Sequence, residues 1–382
     1  VKTALRAGIP PFHVMDVWLA AAERQCTHGD LVNLSAGQPS AGAPEPVRAA
    51  AAAAITANEL GYTVALGIPE LRAAIAGSYR RYGLSVDAED VVVTTGSSGG
   101  FLLAFLACFD AGDRVAFASP GYPCYRNILS ALGVEVVELP CGPQTRFQPT
   151  VAMLEAAGRL DGVIVASPAN PTGTVIAPAE LAAIAAWCDA NDVRLISDEV
   201  YHGLVYDGAP ATSCAWETSR SAVVANSFSK YFAMTGWRLG WLLVPEELRR
   251  AVDCLTGNFT ICPPVLSQIA AVAAFTPEAI AEADGHLRHY GANRERLLTG
   301  LREIGIDRIA PPDGAFYVYA DVSAFTDDSM AFGARLLAET GLAVAPGIDF
   351  DTRNGNRFIR LSFAGPAADI DEALRRLGPW LP

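Results

Sequence analysis

An alternation running from about residue 70 to 245 constrains this chain more than any other feature. Short, continuously apolar segments recur there: VVVTT (91–95), RVAFAS (114–119), VEVVEL (134–139), GVIVAS (162–167), VRLIS (193–197), AVVANS (222–227) and LGWLLV (239–244). Stretches of helical period lie between most of them, such as GGFLLAFLACF after the first and APAELAAIAAWCDAND before the fifth. A strand that is apolar on both faces has to be covered on both faces, and a helix returns the chain to begin a parallel neighbour. The pattern predicts an α/β fold with a mainly parallel, seven-stranded sheet.

Beyond about residue 285 the texture changes. HLRHYGANRERLLTGLREIG is helical and amphipathic, and GAFYVYADV, GLAVAPG and RFIRLSFA read as strands with more alternation. The first 40 or so residues do not fit the α/β alternation and are read as packing with this C-terminal part. The expected division is a large domain over residues 43–284 and a smaller, discontinuous α+β domain from 1–42 and 285–382, a partition that suits 382 residues. The alanine run at 49–54 follows Pro44 and Pro46 and reads as an ordinary helix. No solenoid period is present.

Charge and cysteine usage narrow the partners. A formal net charge of -13 and a pI near 4.9 give no electrostatic footprint for nucleic acid or an anionic membrane, so a small molecule is the expected partner. No stretch reaches the ~20 apolar residues of a membrane span, and the N-terminus has no apolar run of signal-peptide length. The eight cysteines form no CxxC pair and are read as reduced thiols of a cytoplasmic protein. His286 and His289 suit one helix face but have no carboxylate or cysteine partner nearby in sequence, so no metal site is expected.

Polar residues gather where open α/β sheets bind ligands, beyond the carboxyl ends of strands. VVVTT runs into Gly96-Ser97-Ser98-Gly99-Gly100, which opens a helix and offers backbone N–H groups to an anion such as phosphate. Taken alone, the same residues serve equally well as a glycine-rich turn with a serine cap. GxGxxG and GK[ST] are both absent from it, which disfavours dinucleotide and P-loop readings. GVIVAS leads to Asn170 in SPANPTG, and VRLIS leads to Asp198 and Tyr201 in SDEVYHG, one strand-helix-strand circuit later. In SFSKYFAMTGWRLGW, Lys230 stands among Phe228, Tyr231, Phe232, Met234, Trp237 and Trp241, surroundings that lower a lysine pKa and favour a nucleophilic amine.

These stretches, with GYTVALGIPELRAAIA, ASPGYPCYRN, DGAFYVYADV and VAPGIDF followed by RFIRLSFA, run in one order from about residue 35 to 365. In that order the chain resembles the class I/II aminotransferases of the fold-type I pyridoxal phosphate enzymes. The resemblance implies pyridoxal 5'-phosphate as cofactor, with Lys230 holding its aldehyde as a Schiff base and later moving the proton at the substrate Cα. It implies that Asp198 keeps the pyridine nitrogen protonated, that Asn170 and Tyr201 hold the ring's phenolic oxygen, and that Tyr122 covers the ring face. The phosphate is expected on Gly96, Ser97 and Ser98, closed by Ser227, Ser229 and Arg238. Arg360, with Gly37 and Asn170, is expected to take the substrate α-carboxylate. Tyr62 matches a tyrosine that reaches the phosphate of the neighbouring subunit, which implies a homodimer with composite sites.

Two other outcomes belong to the same fold. A lyase would use the same lysine, acting for instance on a C–S bond. A transcription regulator would carry a helix-turn-helix ahead of the fold, for which SAGQP at residue 35 leaves no room in this chain. For the substrate, the loop after the first strand holds no cation, and Ile9, Pro11, Phe12 and Val14 are expected to line the pocket. The reading is a neutral aliphatic amino acid such as valine or alanine, with a 2-keto acid such as pyruvate. Aspartate with 2-oxoglutarate is the alternative, with His13 or an arginine of the partner subunit supplying the second cation.

Overall fold

The computed structural model describes residues 1–58 and 60–382. In chain order its strands are β1 Val32–Asn33, β2 Val91–Thr94, β3 Arg114–Ser119, β4 Glu135–Pro140, β5 Gly162–Ala166, β6 Arg194–Asp198, β7 Val223–Ser227, β8 Gly240–Leu243, β9 Tyr317–Asp321, β10 Leu342–Ala343, β11 Ala345–Pro346 and β12 Phe358–Ser362. Seven of them form one sheet in the order β2-β8-β7-β6-β5-β3-β4. All seven strands expected from the apolar segments are present, and their pairings are parallel except for β8, which runs antiparallel to both β7 and β2.

The continuous apolar runs are explained by two cores, one on each face of this sheet. Val91 and Val93 belong to one core and Val92 to the other; Val163 and Val165 oppose Ile164 in the same way, and Trp241 and Leu243 oppose Leu242. Because successive strand residues point to opposite faces, a sheet buried on both sides has no position left for a polar alternation. The polar residues are displaced to the strand ends.

A smaller unit joins the two ends of the chain. Strands β11, β12 and β9 form an antiparallel sheet, and β1 pairs in parallel with β10, tying the N-terminal segment to the C-terminal part. GLAVAPG is therefore two short strands in two different sheets rather than one. The long helix expected from residue 286 begins earlier, at Pro277, and runs unbroken to Glu303, so residue 285 lies inside it. Thr276 caps its first turn by accepting from the Ala279 N–H, and proline occupies the first helical position, a start signal that outranks the weak apolar period of 277–285. No helix among the described residues is long and apolar enough to cross a membrane.

Two helices frame the site. Helix α1, His13–His28, starts without a side-chain cap of its own and is instead held by Asp349, whose carboxylate accepts from the N–H groups of His13 (3.2 Å) and Val14 (3.0 Å). The predicted helix over the alanine run is α2, Glu45–Ala57; α3 spans Pro69–Ser78. Helix α4, Gly96–Cys108, leaves β2 through Gly96, whose φ of +68° is glycine's region, and packs across β2, β7 and β8.

Candidate active site

A cavity of about 570 Å³ opens at the edge of the sheet where six of the seven strands end. Its walls come from one segment after another along that edge: Ser97 and Ser98 after β2, Tyr122 after β3, Asn170 after β5, Asp198 and Tyr201 at the end of β6, Ser229 and Lys230 after β7. Strand β8 runs the other way, so the segment entering it reaches the same edge and contributes Arg238. The smaller unit closes the cavity with Arg360 of β12, Gly37, and Phe12, Val14, Met15 and Trp18 at the start of α1.

The cavity's only lysine points at this junction. Lys230 Nζ donates to the Gly37 carbonyl (2.6 Å) and lies 5.7 Å from the Tyr201 ring centroid and 5.9 Å from that of Phe316. Burial, with the Arg360 and Arg238 cations in support, lowers its pKa to about 8 against an ordinary 10.5, while Asp198 pulls the other way. The free base is therefore present well below the usual range. In protein free of cofactor, reductive trapping of a small aromatic aldehyde at Lys230 is expected to rise with pH through a midpoint near 8. A midpoint near 10.5, measured by mass across a pH series, would show the lysine to be an ordinary surface amine.

Asp198 is 7% exposed, and burial pushes its carboxyl up to about 6. Two donors oppose that rise: the Tyr125 hydroxyl on Oδ2 and the Val200 N–H on Oδ1 at 3.0 Å. The carboxylate is thus held in place and ionised at neutral pH. Tyr122, edge-on to Tyr125 at 5.4 Å and to Phe12 at 6.2 Å, forms the wall next to it.

Arg360 is 2% exposed, with its guanidinium carbon 4.4 Å from the Tyr317 ring centroid and 4.7 Å from that of Phe350. It donates to Asn170 Oδ1 and to the Ser35 carbonyl, both at 2.8 Å, and its Nε has no partner in the protein. A buried cation with a spare donor and two aromatic faces is arranged for a planar anion. At the opposite side, Gly96 lets the chain and Arg238 approach closely, since a Cβ on residue 96 would stand 2.5 Å from the guanidinium.

The expected residues do not all reach the cavity. Ser227 stands behind it: its hydroxyl donates to Ser229 Oγ (2.9 Å) and accepts from the Ser229 N–H (3.0 Å). Gly96 shapes the loop without lining the cavity. Tyr62 is 83% exposed on the outside of this chain. Of the expected apolar lining, Phe12 and Val14 are present but Ile9 and Pro11 are exposed and outside it; α1 begins at residue 13, and helical spacing brings Met15 and Trp18 in beside Val14 instead. His13 is likewise outside the lining and faces Asp16 on its own helix.

Tyr125 and Tyr317 also belong to the site, although neither is among the expected residues. Tyr125 lies three positions beyond Tyr122 on the helix Pro123–Leu132, a spacing that was legible. Tyr317 hydrogen-bonds the Tyr201 hydroxyl at 2.7 Å across 116 positions of chain, and no local pattern announces it.

Comparison with known proteins agrees along the chain. The family model described as aminotransferase class I and II matches residues 29–377. The chain is 79% identical over 383 residues to valine–pyruvate aminotransferase of Mycobacterium tuberculosis, covering 100% of this chain and 99% of that relative. Over 352 residues it is 36% identical to aspartate/prephenate aminotransferase of Thermus thermophilus, covering 91% of this chain and 90% of the relative. A crystal structure of an aminotransferase from Mycobacterium tuberculosis superposes with a TM-score of 0.99 at 79% identity, covering 100% of this chain and 99% of that one. A match from residue 29 to 377 takes in all three sheets and every wall of the cavity except the start of α1, and the chain accordingly belongs to the class I and II aminotransferases, transaminases that work with pyridoxal phosphate.

Proposed function

We propose that this transaminase moves the amino group between a neutral aliphatic amino acid, such as valine or alanine, and a 2-oxo acid such as pyruvate. The apolar wall formed by Phe12, Val14, Met15 and Trp18 carries the reading. It adjoins Arg360, because Asp349 holds the start of α1 while its neighbour Phe350 covers the guanidinium. Among the described residues lining the cavity the cations are Lys230, Arg238 and Arg360. With Lys230 used for chemistry, Arg238 for phosphate and Arg360 for the α-carboxylate, no cation of this chain remains for a second carboxylate.

An unpaired carboxylate against that wall costs several kcal/mol, whereas each buried methylene contributes about 0.8 kcal/mol. The 79% identity to a protein named valine–pyruvate aminotransferase supports the same side of the choice. Measuring kcat/KM for valine, alanine and aspartate tests it, with aspartate expected to be the poorest. An aspartate value ten times the others, about 1.4 kcal/mol of transition-state binding, overturns the reading in favour of aspartate with 2-oxoglutarate.

The roles of individual residues are part of the proposal, and the donor set fits the cofactor: anion-directed groups at one side, a buried anion and an amine between, an arginine with a spare donor at the other. Bound there, pyridoxal phosphate supplies an aldehyde for the amine and a ring that takes up the electron pair released when Cα loses its proton. Ser97, Ser98 and Ser229 with Arg238 bind the phosphate at the N-terminus of α4, where backbone N–H groups and the helix dipole add to the arginine. Ser227 keeps the Ser229 hydroxyl in position, and Gly96 admits Arg238.

Asp198, ionised and fixed by Tyr125, would pair with the pyridine nitrogen and hold a proton there. Tyr122 would cover the ring, and Tyr201 with Asn170 would hold its phenolic oxygen. Arg360 takes the α-carboxylate, oriented by Asn170, with the Gly37 backbone beside it. That would fix the Cα–H toward Lys230, whose Nζ, free once the substrate amine has displaced it from the aldehyde, would take the proton from Cα and pass it to the former aldehyde carbon.

The second subunit belongs to the same proposal. Gln268 donates to Thr63 Oγ1 (3.1 Å) and to the Pro263 carbonyl (2.9 Å), drawing two surface segments together. Their exposed apolar side chains, Tyr62, Val64, Phe259 and Ile261, support a homodimer in which Tyr62 reaches the phosphate of the neighbouring site. A cytoplasmic location is our reading too, supported by cysteines that are all free thiols.

A further inference from the structure

We infer that Tyr317 is a positioning residue for Tyr201: it donates its hydroxyl proton to the Tyr201 oxygen and so commits the Tyr201 proton to the cofactor's phenolic oxygen. The inference rests on the role proposed above for Tyr201.

The two hydroxyls lie 2.7 Å apart, and both residues are buried, Tyr317 to 1% and Tyr201 to 6% exposure. Each phenol has one proton, and only one proton fits between two oxygens at that distance. If Tyr201 donated to Tyr317, it would have nothing left to give the cofactor, so the direction of this one bond decides whether Tyr201 can act.

The cation beside Tyr317 sets the direction. The Arg360 guanidinium carbon stands 4.4 Å from the Tyr317 ring centroid, and a cation against the ring strengthens its O–H as a donor. Burial raises the pKa of both phenols, and the Arg360 charge, whose guanidinium stands against the Tyr317 ring, opposes the rise in both. The hydroxyl is also confined in space. A Cβ on residue 37 would stand 3.0 Å from the Tyr317 oxygen, so the glycine there leaves it just enough room beside Tyr201.

The test is a spectral pH titration of the cofactor-loaded enzyme. Donation to the phenolic oxygen stabilises its negative charge, so the bound cofactor gives up its proton at lower pH; weakening the donor raises the midpoint. Tyr201→Phe removes a hydrogen bond to a charged oxygen and is expected to raise the midpoint by about one to two units. Tyr317→Phe, which keeps the ring against Arg360, removes only the cooperative part and is expected to raise it by about 0.3 unit. The double variant is expected to match Tyr201→Phe, because the effect of Tyr317 passes through the Tyr201 hydroxyl. Placing 3-fluorotyrosine, a stronger donor, at position 317 is expected to lower the midpoint.

A Tyr317→Phe midpoint equal to wild type, or a double variant shifted further than Tyr201→Phe by the full Tyr317→Phe amount, overturns the relay while leaving the role of Tyr201 standing. A Tyr201→Phe midpoint equal to wild type overturns both.

Discussion

Lys230→Ala is expected to abolish transamination and to leave the cofactor without a covalent anchor, while the fold survives. Loss of the proton transfer at Cα alone is expected to cost about 10²- to 10⁴-fold in rate, and loss of the amine that accepts the aldehyde adds to it. The chain contains two lysines, Lys2 and Lys230, so the assignment has a single competitor. Borohydride reduction of the loaded enzyme followed by peptide mapping is expected to place the label on Lys230. A label on Lys2, or an alanine variant that still transaminates measurably, removes the lysine from the mechanism. Near-wild-type circular dichroism is expected, because replacing a buried amine whose one hydrogen bond is to the Gly37 carbonyl leaves the three sheets and the two cores of the large one untouched.

Asp198→Asn has the next largest expected effect. The substitution keeps the shape and leaves an acceptor for the Val200 N–H, but it removes the anion proposed to hold a proton on the pyridine nitrogen. Breaking a buried ion pair by neutralising one partner costs about 3 to 5 kcal/mol, which corresponds to a loss of roughly 10²- to 10⁴-fold in rate. The half-reaction with the amino acid alone, followed by stopped-flow absorbance under single-turnover conditions, reads this step without a keto acid acceptor. A rate within a few-fold of wild type would mean that the ring does not need the proton that Asp198 holds. Tyr125 belongs to the same unit, because its hydroxyl opposes the rise that burial imposes on the Asp198 carboxyl.

The large sheet was legible in the sequence because burial on both faces leaves runs such as GVIVAS with no alternative conformation that hides them as well. The cavity was legible for a related reason. Once strands are uniformly apolar, any polar residue just past a strand end stands out, and Ser97, Asn170, Asp198 and Lys230 all do. Helix starts were less visible. The helix from Pro277 shows its cap, Thr276 and Pro277, but its first turns are too polar to show a period. At the N-terminus the apolar residues of GIPPFHVMDVW were recognisable as a lining, but whether Ile9 or Met15 faces inward depends on where α1 begins. That point is decided by Asp349, more than 330 positions away in sequence.

Sequence alone therefore determined the α/β class, the seven strands, the family and the lysine, since each depends on composition within a short window or on the order of such windows. Only the tertiary structure decided that β8 runs antiparallel and so delivers Arg238 from its amino end to the edge where its neighbours deliver their carboxyl ends. Only the tertiary structure brought Tyr317 to Tyr201, Arg360 to Asn170 and Asp349 to the start of α1, and set Ser227 behind Ser229 instead of in the cavity. Local sequence records which groups prefer to be buried or to end a strand, an energy that each segment carries by itself. Which polar group meets which is settled when distant segments pack and every buried donor has to find an acceptor, and that matching is a property of the whole fold.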